Sequence, residues 1–102
     1  HLWNEPVIQK RLEALLGTAM RTFLDNMQVQ SPLMKDGGVF YVMGNKPHQG
    51  GLDNAFFLAD PASDTIAVIL YVNGARQDFK DGGSDVALPG EIVTMIGNME
   101  TR

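Results

Sequence analysis

The chain of 102 residues has eight basic and twelve acidic side chains, and its formal charge of −4 disfavours a nucleic acid or an anionic membrane as its partner. Its hydrophobic content of 44% and charged content of 20% are typical of one globular domain, and no apolar run approaches the roughly 20 residues of a membrane span. The absence of cysteine excludes disulfide bonds, thiolate catalysis and cysteine-ligated metals.

The N-terminal quarter has the pattern of an amphipathic helix. Asn4 is a suitable N-cap, and Pro6 is tolerated in the first turn that would follow it. Apolar residues then recur at spacings of three and four, which predicts one helix of about five turns or more with a broad apolar face. These residues are Ile8, Leu12, Leu15, Leu16, Ala19, Met20, Phe23, Leu24 and Met27.

Apolar segments of strand length follow. After a linker at residues 28–38, Val39–Met43 and Ala55–Ala59 are rich in β-branched and aromatic residues, and we expect them to form a wide β-hairpin. Thr65–Val72 is apolar without alternation, which is typical of a central strand covered on both faces. The long helix can cover one face. The other requires a C-terminal helix, a folded-back loop or a second subunit, and the last alternative would make a homodimer.

The C-terminal third completes the predicted fold. Asn73-Gly74 predicts a two-residue hairpin turn, and polar Ala75–Lys80 is expected to be an edge strand. Pro89-Gly90-Glu91 predicts the start of a short helix, whose apolar face would consist of Ile92, Val93, Met95, Ile96 and Met99. The predicted fold is α+β: a single domain over residues 1–102, with an antiparallel β-sheet of four to five strands, a long N-terminal helix packed on one face and a short C-terminal helix.

The connection between the first two predicted strands is longer than a tight turn. It reads Gly44-Asn45-Lys46-Pro47-His48-Gln49-Gly50-Gly51. Pro47 fixes its own φ and favours an extended Lys46, so Lys46 and His48 are expected to project from the same side of a stiff segment. Ordering such a loop costs backbone entropy, which favours a binding element. An ordinary surface turn is the alternative that these residues leave open.

Tyr41-Val42-Met43, followed by Lys46-Pro47-His48 and an apolar strand, resembles the Ivy family, the inhibitors of vertebrate lysozyme found in Gram-negative periplasms. The resemblance implies an inhibitor of C-type lysozyme that plugs the glycosidase cleft with this loop. It also implies a periplasmic location and a dimer, as in other family members. The sequence begins at His1 without a signal-like apolar segment, so we expect it to be a mature or trimmed chain.

The loop departs from the family pattern on either side of its tip. In the family it runs Cys-Lys-Pro-His-Asp-Cys, and the two cysteines clip it into a rigid protrusion. Here Asn45 and Gly50 occupy the cysteine positions and Gln49 occupies the aspartate position. We expect Asn45, Gln49 and Gly50 to support the loop, with Asn45 or Gln49 hydrogen-bonding across it.

The sequence has no pattern typical of catalysis, of a cofactor site or of a metal site. No glycine pair opens a helix as a phosphate loop does, and the only histidines are His1 and His48. An imidazole can accept a hydrogen bond from a protonated carboxyl group and donate one to an ionised carboxylate, so His48 is suited to block a glycosidase cleft, and Lys46 would add attraction. Two alternatives remain: an Ivy-like paralogue that binds another periplasmic partner, such as the cell's own glycan-cleaving enzymes, and a small enzyme.

Overall fold

The computed structural model describes residues 2–47 and 52–101, and within them three α-helices and six β-strands. The α-helices are α1 (Pro6–Leu16), α2 (Met20–Asn26) and α3 (Gly90–Glu100), with short 3₁₀ turns at Leu2–Asn4 and Gly17–Ala19. The strands are β1 (Val29–Gln30), β2 (Met34–Asp36), β3 (Val39–Asn45), β4 (Asn54–Asp60), β5 (Thr65–Val72) and β6 (Ala75–Lys80). The fold is α+β, as predicted, with more strands than the four to five expected.

The prediction of one continuous N-terminal helix was wrong, because the helix breaks at Gly17. This glycine has φ 54° and ψ −123°, a conformation that residues with a side chain rarely adopt. Its N–H donates a hydrogen bond to the Glu13 carbonyl. The N-cap is Glu5 rather than Asn4: the Glu5 carboxylate accepts the Ile8 N–H at 3.0 Å. The apolar spacing continues through the break because α1 and α2 bury the same side of the chain.

The sheet is antiparallel, with strand order β1-β3-β4-β5-β6 and with β2 also paired to β3. The predicted wide hairpin is confirmed by β3 and β4, in which Val42 lies opposite Phe57. The two-residue turn Asn73-Gly74 is confirmed as well, with φ of 51° and 80° at its two residues. Residues 28–38 are not only a linker, because they contain the short strands β1 and β2, which pair with β3.

Two hydrophobic layers cover β5 from opposite sides. On the helix side, Val68 packs in a cluster with residues of α1, α2 and the first 3₁₀ turn, where the Trp3 ring makes edge contacts with Phe23 and Phe57, each at 5.0 Å between centroids. On the other side, Ile69 packs in a cluster that includes Ile92 of α3. The C-terminal helix therefore covers the second face of the sheet, and this face gives no argument for a second subunit.

Only part of the predicted apolar face of α3 is buried. Ile92 and Ile96 are buried, whereas Val93 and Met95 are 53% and 37% exposed. Tyrosines of the sheet hold the two ends of the helix: Tyr41 OH donates to Glu91 at 2.8 Å and Tyr71 OH donates to Glu100 at 2.7 Å. The hydrogen bond to Glu91 raises the pKa of Tyr41. For Tyr71 the larger cause of the raised pKa is burial, followed by the bond to Glu100.

An arginine clamp fastens α1 to the end of the sheet where β5 begins. Arg11 Nε lies 2.9 Å from Asp81 Oδ2, and its Nη1 lies 2.7 Å from Asp64 Oδ1. Asp81 also accepts the Ile66 N–H at 2.8 Å. Burial alone would raise the pKa of Asp81, but the hydrogen bonds from Arg11 and Ile66 outweigh it and hold the pKa below its ordinary value.

Candidate functional site

The predicted binding loop connects β3 to β4. The β3–β4 ladder ends with Asn45 opposite Asn54, so we call residues 46–53 the β3–β4 loop. Asn45 and Lys46 are exposed and Pro47 is half-buried. The remaining predicted site residues, His48, Gln49 and Gly50, lie outside the described residues. The expectation that Asn45 or Gln49 hydrogen-bonds across the loop therefore stays a prediction.

Backbone hydrogen bonds close the base of the β3–β4 loop. The Lys46 N–H donates to the Asp53 carbonyl at 3.1 Å, which extends the ladder one residue beyond Asn45 and Asn54. The Gly74 N–H, in the β5–β6 turn, donates to the Leu52 carbonyl at 3.0 Å. The two arms of the loop are thus joined to each other, and the returning arm is joined to the neighbouring hairpin turn.

Asp53 is a site residue that the sequence analysis missed. Its side chain is near the β5–β6 turn, where Oδ1 accepts the Asn73 N–H at 3.2 Å, and the residue is only 7% exposed. The local signal for it is weak: an acidic residue just before an apolar strand reads as ordinary turn composition. Its partner Asn73 is 20 positions away and becomes a neighbour only when the sheet forms.

The C-terminal end of α2 packs against the strands that flank the loop. The buried Asn26 side chain donates to the carbonyls of Asn54 at 3.2 Å and Tyr71 at 3.0 Å, which joins the helix to β4 and β5. Gly44, two residues before Lys46, lies directly against Asn26 and Met27. A buried amide with both donors satisfied fixes geometry, so the strands that carry the loop have a rigid base.

Lys46 carries the exposed charge among the described residues of the loop, since Asp53 is buried. Among residues 2–47 and 52–101, no carboxylate lies within ion-pairing distance of Lys46, and its side chain is exposed. By contrast, Arg76 at the start of β6 is paired with Asp78 at 2.7 Å, and that hydrogen bond raises the pKa of Arg76. Lys46 therefore presents a cation to an approaching molecule.

A groove away from the loop presents paired charges, unlike Lys46, which is unpaired among the described residues. About 380 Å³ in volume, it lies beside β5 and β6 and is lined by apolar residues such as Leu58, Phe79 and Val86. Its charged residues neutralise one another as the pairs Arg76–Asp78 and Lys80–Asp85. Paired charges around an apolar groove supply no nucleophile or unpaired acid–base group.

Residues 2–47 and 52–101 contain no group of three or more His, Cys, Asp or Glu side chains that could hold a metal ion. Within the same residues, no helix is both long enough and apolar enough to cross a membrane.

Comparison with known proteins identifies the family. The family model described as inhibitor of vertebrate lysozyme (Ivy) matches residues 7–102, from the first turn of α1 to the C-terminus. No curated protein and no solved structure matches the chain. The matched region includes the whole sheet and the β3–β4 loop with its Lys46-Pro47-His48 tip. The chain belongs to the Ivy family of inhibitors of vertebrate lysozyme.

Proposed function

We propose that the protein inhibits C-type lysozyme by inserting Lys46, Pro47 and His48 into the glycosidase cleft. The observation that carries the proposal is the family match, which spans the β3–β4 loop as well as the scaffold. The exposed side chain of Lys46, one residue beyond the end of the β3–β4 ladder, also supports the proposal, because it is accessible to a target. The site holds the target by complementarity and performs no chemistry on it.

The chemistry of the cleft suits a histidine plug. A lysozyme-type cleft contains one protonated carboxyl group that acts as the acid and one ionised carboxylate. A neutral imidazole carries one acceptor nitrogen and one donor nitrogen, so His48 can bond both groups at once. Lys46 adds an ammonium group, which is attracted to the ionised carboxylate. Substrate would then be excluded from the groups that cleave it.

Charge complementarity favours encounter with this target. The chain has a formal charge of −4, whereas vertebrate lysozymes are strongly basic. Opposite net charges steer association and speed it at low ionic strength. We therefore expect the association rate to fall as salt is added, with a smaller change in the dissociation rate. A periplasmic location belongs to the same proposal, since that is where such an inhibitor would meet lysozyme.

A second candidate function follows from the missing cysteines. Asn45 and Gly50 stand at the positions of the two cysteines that form the family's disulfide. Without a cross-link, any ordering of a loop on binding reduces its affinity for the target. The alternative is an Ivy-like module that binds another periplasmic partner, such as an endogenous glycan-cleaving enzyme, without inhibiting lysozyme. Both candidates use the same scaffold, so activity measurements must separate them.

The deciding experiment is a lysozyme assay with hen or human enzyme and the pure protein at micromolar excess. Dose-dependent inhibition supports the first candidate, and full lysozyme activity at saturating excess supports the second. His48→Ala should raise the inhibition constant by about a hundredfold, the size expected for a buried interface anchor. Retained inhibition in that variant would refute the plug.

Charge variants provide a matched control for the role of Lys46. Lys10 on α1 is exposed like Lys46, so Lys10→Ala and Lys46→Ala change the net charge equally. We expect only Lys46→Ala to weaken inhibition clearly, because its cation lies in the proposed interface. Equal effects of the two substitutions would mean that net charge, and not the loop, governs binding.

A further inference from the structure

Asp53 is the last residue of the β3–β4 loop and a buried acidic residue, and the proposed contact with lysozyme does not use it. It is 7% exposed, accepts the Asn73 N–H through its side chain and accepts the Lys46 N–H through its backbone carbonyl. Asp53 thus connects Lys46, at the start of the loop, to the β5–β6 turn. Burying a carboxylate is unfavourable unless it is hydrogen-bonded, and the Asn73 N–H supplies such a bond to Oδ1.

We infer that Asp53 is a positioning residue for the proposed inhibition, and that it holds the base of the β3–β4 loop, at Lys46 and Asp53, by fastening it to the β5–β6 turn. This inference rests on the proposed inhibitory function. The turn is a suitable anchor because Asn73 and Gly74 both have positive φ, the conformation of a tight two-residue hairpin that matches the strand twist. A second bond, from the Gly74 N–H to the Leu52 carbonyl at 3.0 Å, holds the residue before Asp53 to the same turn.

The anchoring works without covalent closure. Where the family has a disulfide at its cysteine positions, this chain holds the base of the loop by hydrogen bonds from two neighbouring hairpins. A loop whose arms are fixed before binding has fewer residues to order in the complex, and the ordering cost is what weakens a flexible binding loop. The Asp53 side chain contributes one of the two bonds to the neighbouring hairpin, and the Gly74 N–H to Leu52 carbonyl bond is the other.

Asp81 offers a matched control at the opposite end of β5. It is also an aspartate that accepts a backbone N–H, from Ile66 at 2.8 Å, but it belongs to the arginine clamp and not to the loop. Asp53→Ala and Asp81→Ala each remove a carboxylate that bonds the backbone. Only the first removes a link between the β3–β4 loop and the β5–β6 turn.

The test measures amide hydrogen exchange and lysozyme inhibition on the same variants. We expect Asp53→Ala to speed exchange of the Asn73 and Lys46 amides and to raise the inhibition constant about five- to tenfold. Asp53→Asn keeps an acceptor oxygen and should recover most of both losses. Asp81→Ala should lower the unfolding midpoint and leave these two amides and the inhibition constant unchanged.

The outcomes separate this inference from the proposed function. If Asp53→Ala has the same inhibition constant as the wild-type protein, the positioning role is overturned. If the wild-type protein does not inhibit, the proposed function fails, and the exchange data alone decide: faster exchange at Asn73 and Lys46 in Asp53→Ala supports the role, and unchanged exchange overturns it. Should Asp53→Ala fail to fold, Asp53→Ser replaces it, because the shorter hydroxyl does not reach the position of the carboxylate oxygen.

Discussion

At Gly44, close to the β3–β4 loop, the sheet lies directly against the end of α2. A Cβ added at Gly44 would overlap Met27 Sδ, and it would lie 2.8 Å from the Asn26 carbonyl oxygen and 3.0 Å from Met27 Cα. The methionine side chain can move away, because it is long and flexible. The two backbone atoms at the end of α2 cannot move without displacing the helix. We therefore predict that Gly44→Ala destabilises the protein.

The magnitude follows from two opposing effects. Replacing glycine by alanine in a strand normally stabilises by about 0.5–1 kcal/mol, because the unfolded chain loses conformational freedom. Overpacking against backbone costs about 1–3 kcal/mol, and displacing α2 would also lengthen the bonds of the buried Asn26 side chain to Asn54 and Tyr71. The net loss should be about 2 kcal/mol of unfolding free energy. For a domain of this size that corresponds to a melting temperature lower by roughly 10 °C.

Gly97→Ala is the matched control. Gly97 lies inside α3, and a Cβ added there would meet nothing within 4 Å. Alanine is the better helix former by about 1 kcal/mol, so this substitution should stabilise the protein. Urea unfolding followed by circular dichroism gives both values, with the midpoint expected to fall by about 1 M for Gly44→Ala and to rise for Gly97→Ala. A Gly44→Ala midpoint at or above that of the wild type would refute the close packing of α2 on β3.

Two further variants test the clamp and the loop. Asp81→Asn should lower stability by about 2 kcal/mol at pH 7 through loss of the charged bonds to Arg11. Because the folded-state pKa of Asp81 is depressed, its contribution is present above the unfolded-state pKa and is lost as the pH falls below about 4, so wild type and variant should converge in acid denaturation. Asn45→Cys with Gly50→Cys should lower the inhibition constant about tenfold when oxidised and return it to the wild-type value on reduction.

Both of these tests have clear contrary outcomes. Acid unfolding curves that stay parallel below pH 4 would show that the ionisation of Asp81 does not contribute to folding. For the cysteine pair, the chain has no other cysteine, so oxidation can close only this link within the molecule. Unchanged inhibition after oxidation would mean that loop order does not limit affinity.

Strand positions were predictable where the signal is local. Val39–Met43 and Ala55–Ala59 are dense in β-branched and aromatic residues, and Asn73-Gly74 has few conformations other than a tight turn. β1 and β2 were missed because they are two and three residues long and have no period of their own. They are strands only because the free edge of β3 pairs with them, which is a tertiary effect.

The break at Gly17 and the role of Asp53 escaped the sequence analysis for a common reason. At Gly17 the apolar spacing stays helical, and a single glycine inside a helical pattern does not specify whether the chain will bend there. At Asp53 the decisive contact is with the Asn73 N–H, a group whose position depends on the register of β4 with β5. The binding role of Lys46-Pro47-His48 stays a prediction from the sequence, whereas the hydrogen bonds at the base of the loop became visible only in the folded structure.

Asp53 and the engineered disulfide can be tested together in a double-mutant cycle. If Asp53 and the engineered pair Asn45→Cys/Gly50→Cys both act by ordering the same loop, their effects on inhibition cannot be independent. Oxidation should then improve inhibition more in the Asp53→Ala background than in the wild-type background, because the cross-link supplies order that Asp53 otherwise provides. If Asp53 instead contributes only to global stability, oxidation should improve inhibition equally in both. A non-additive cycle would therefore show that hydrogen bonds between hairpins can substitute for a disulfide in this family.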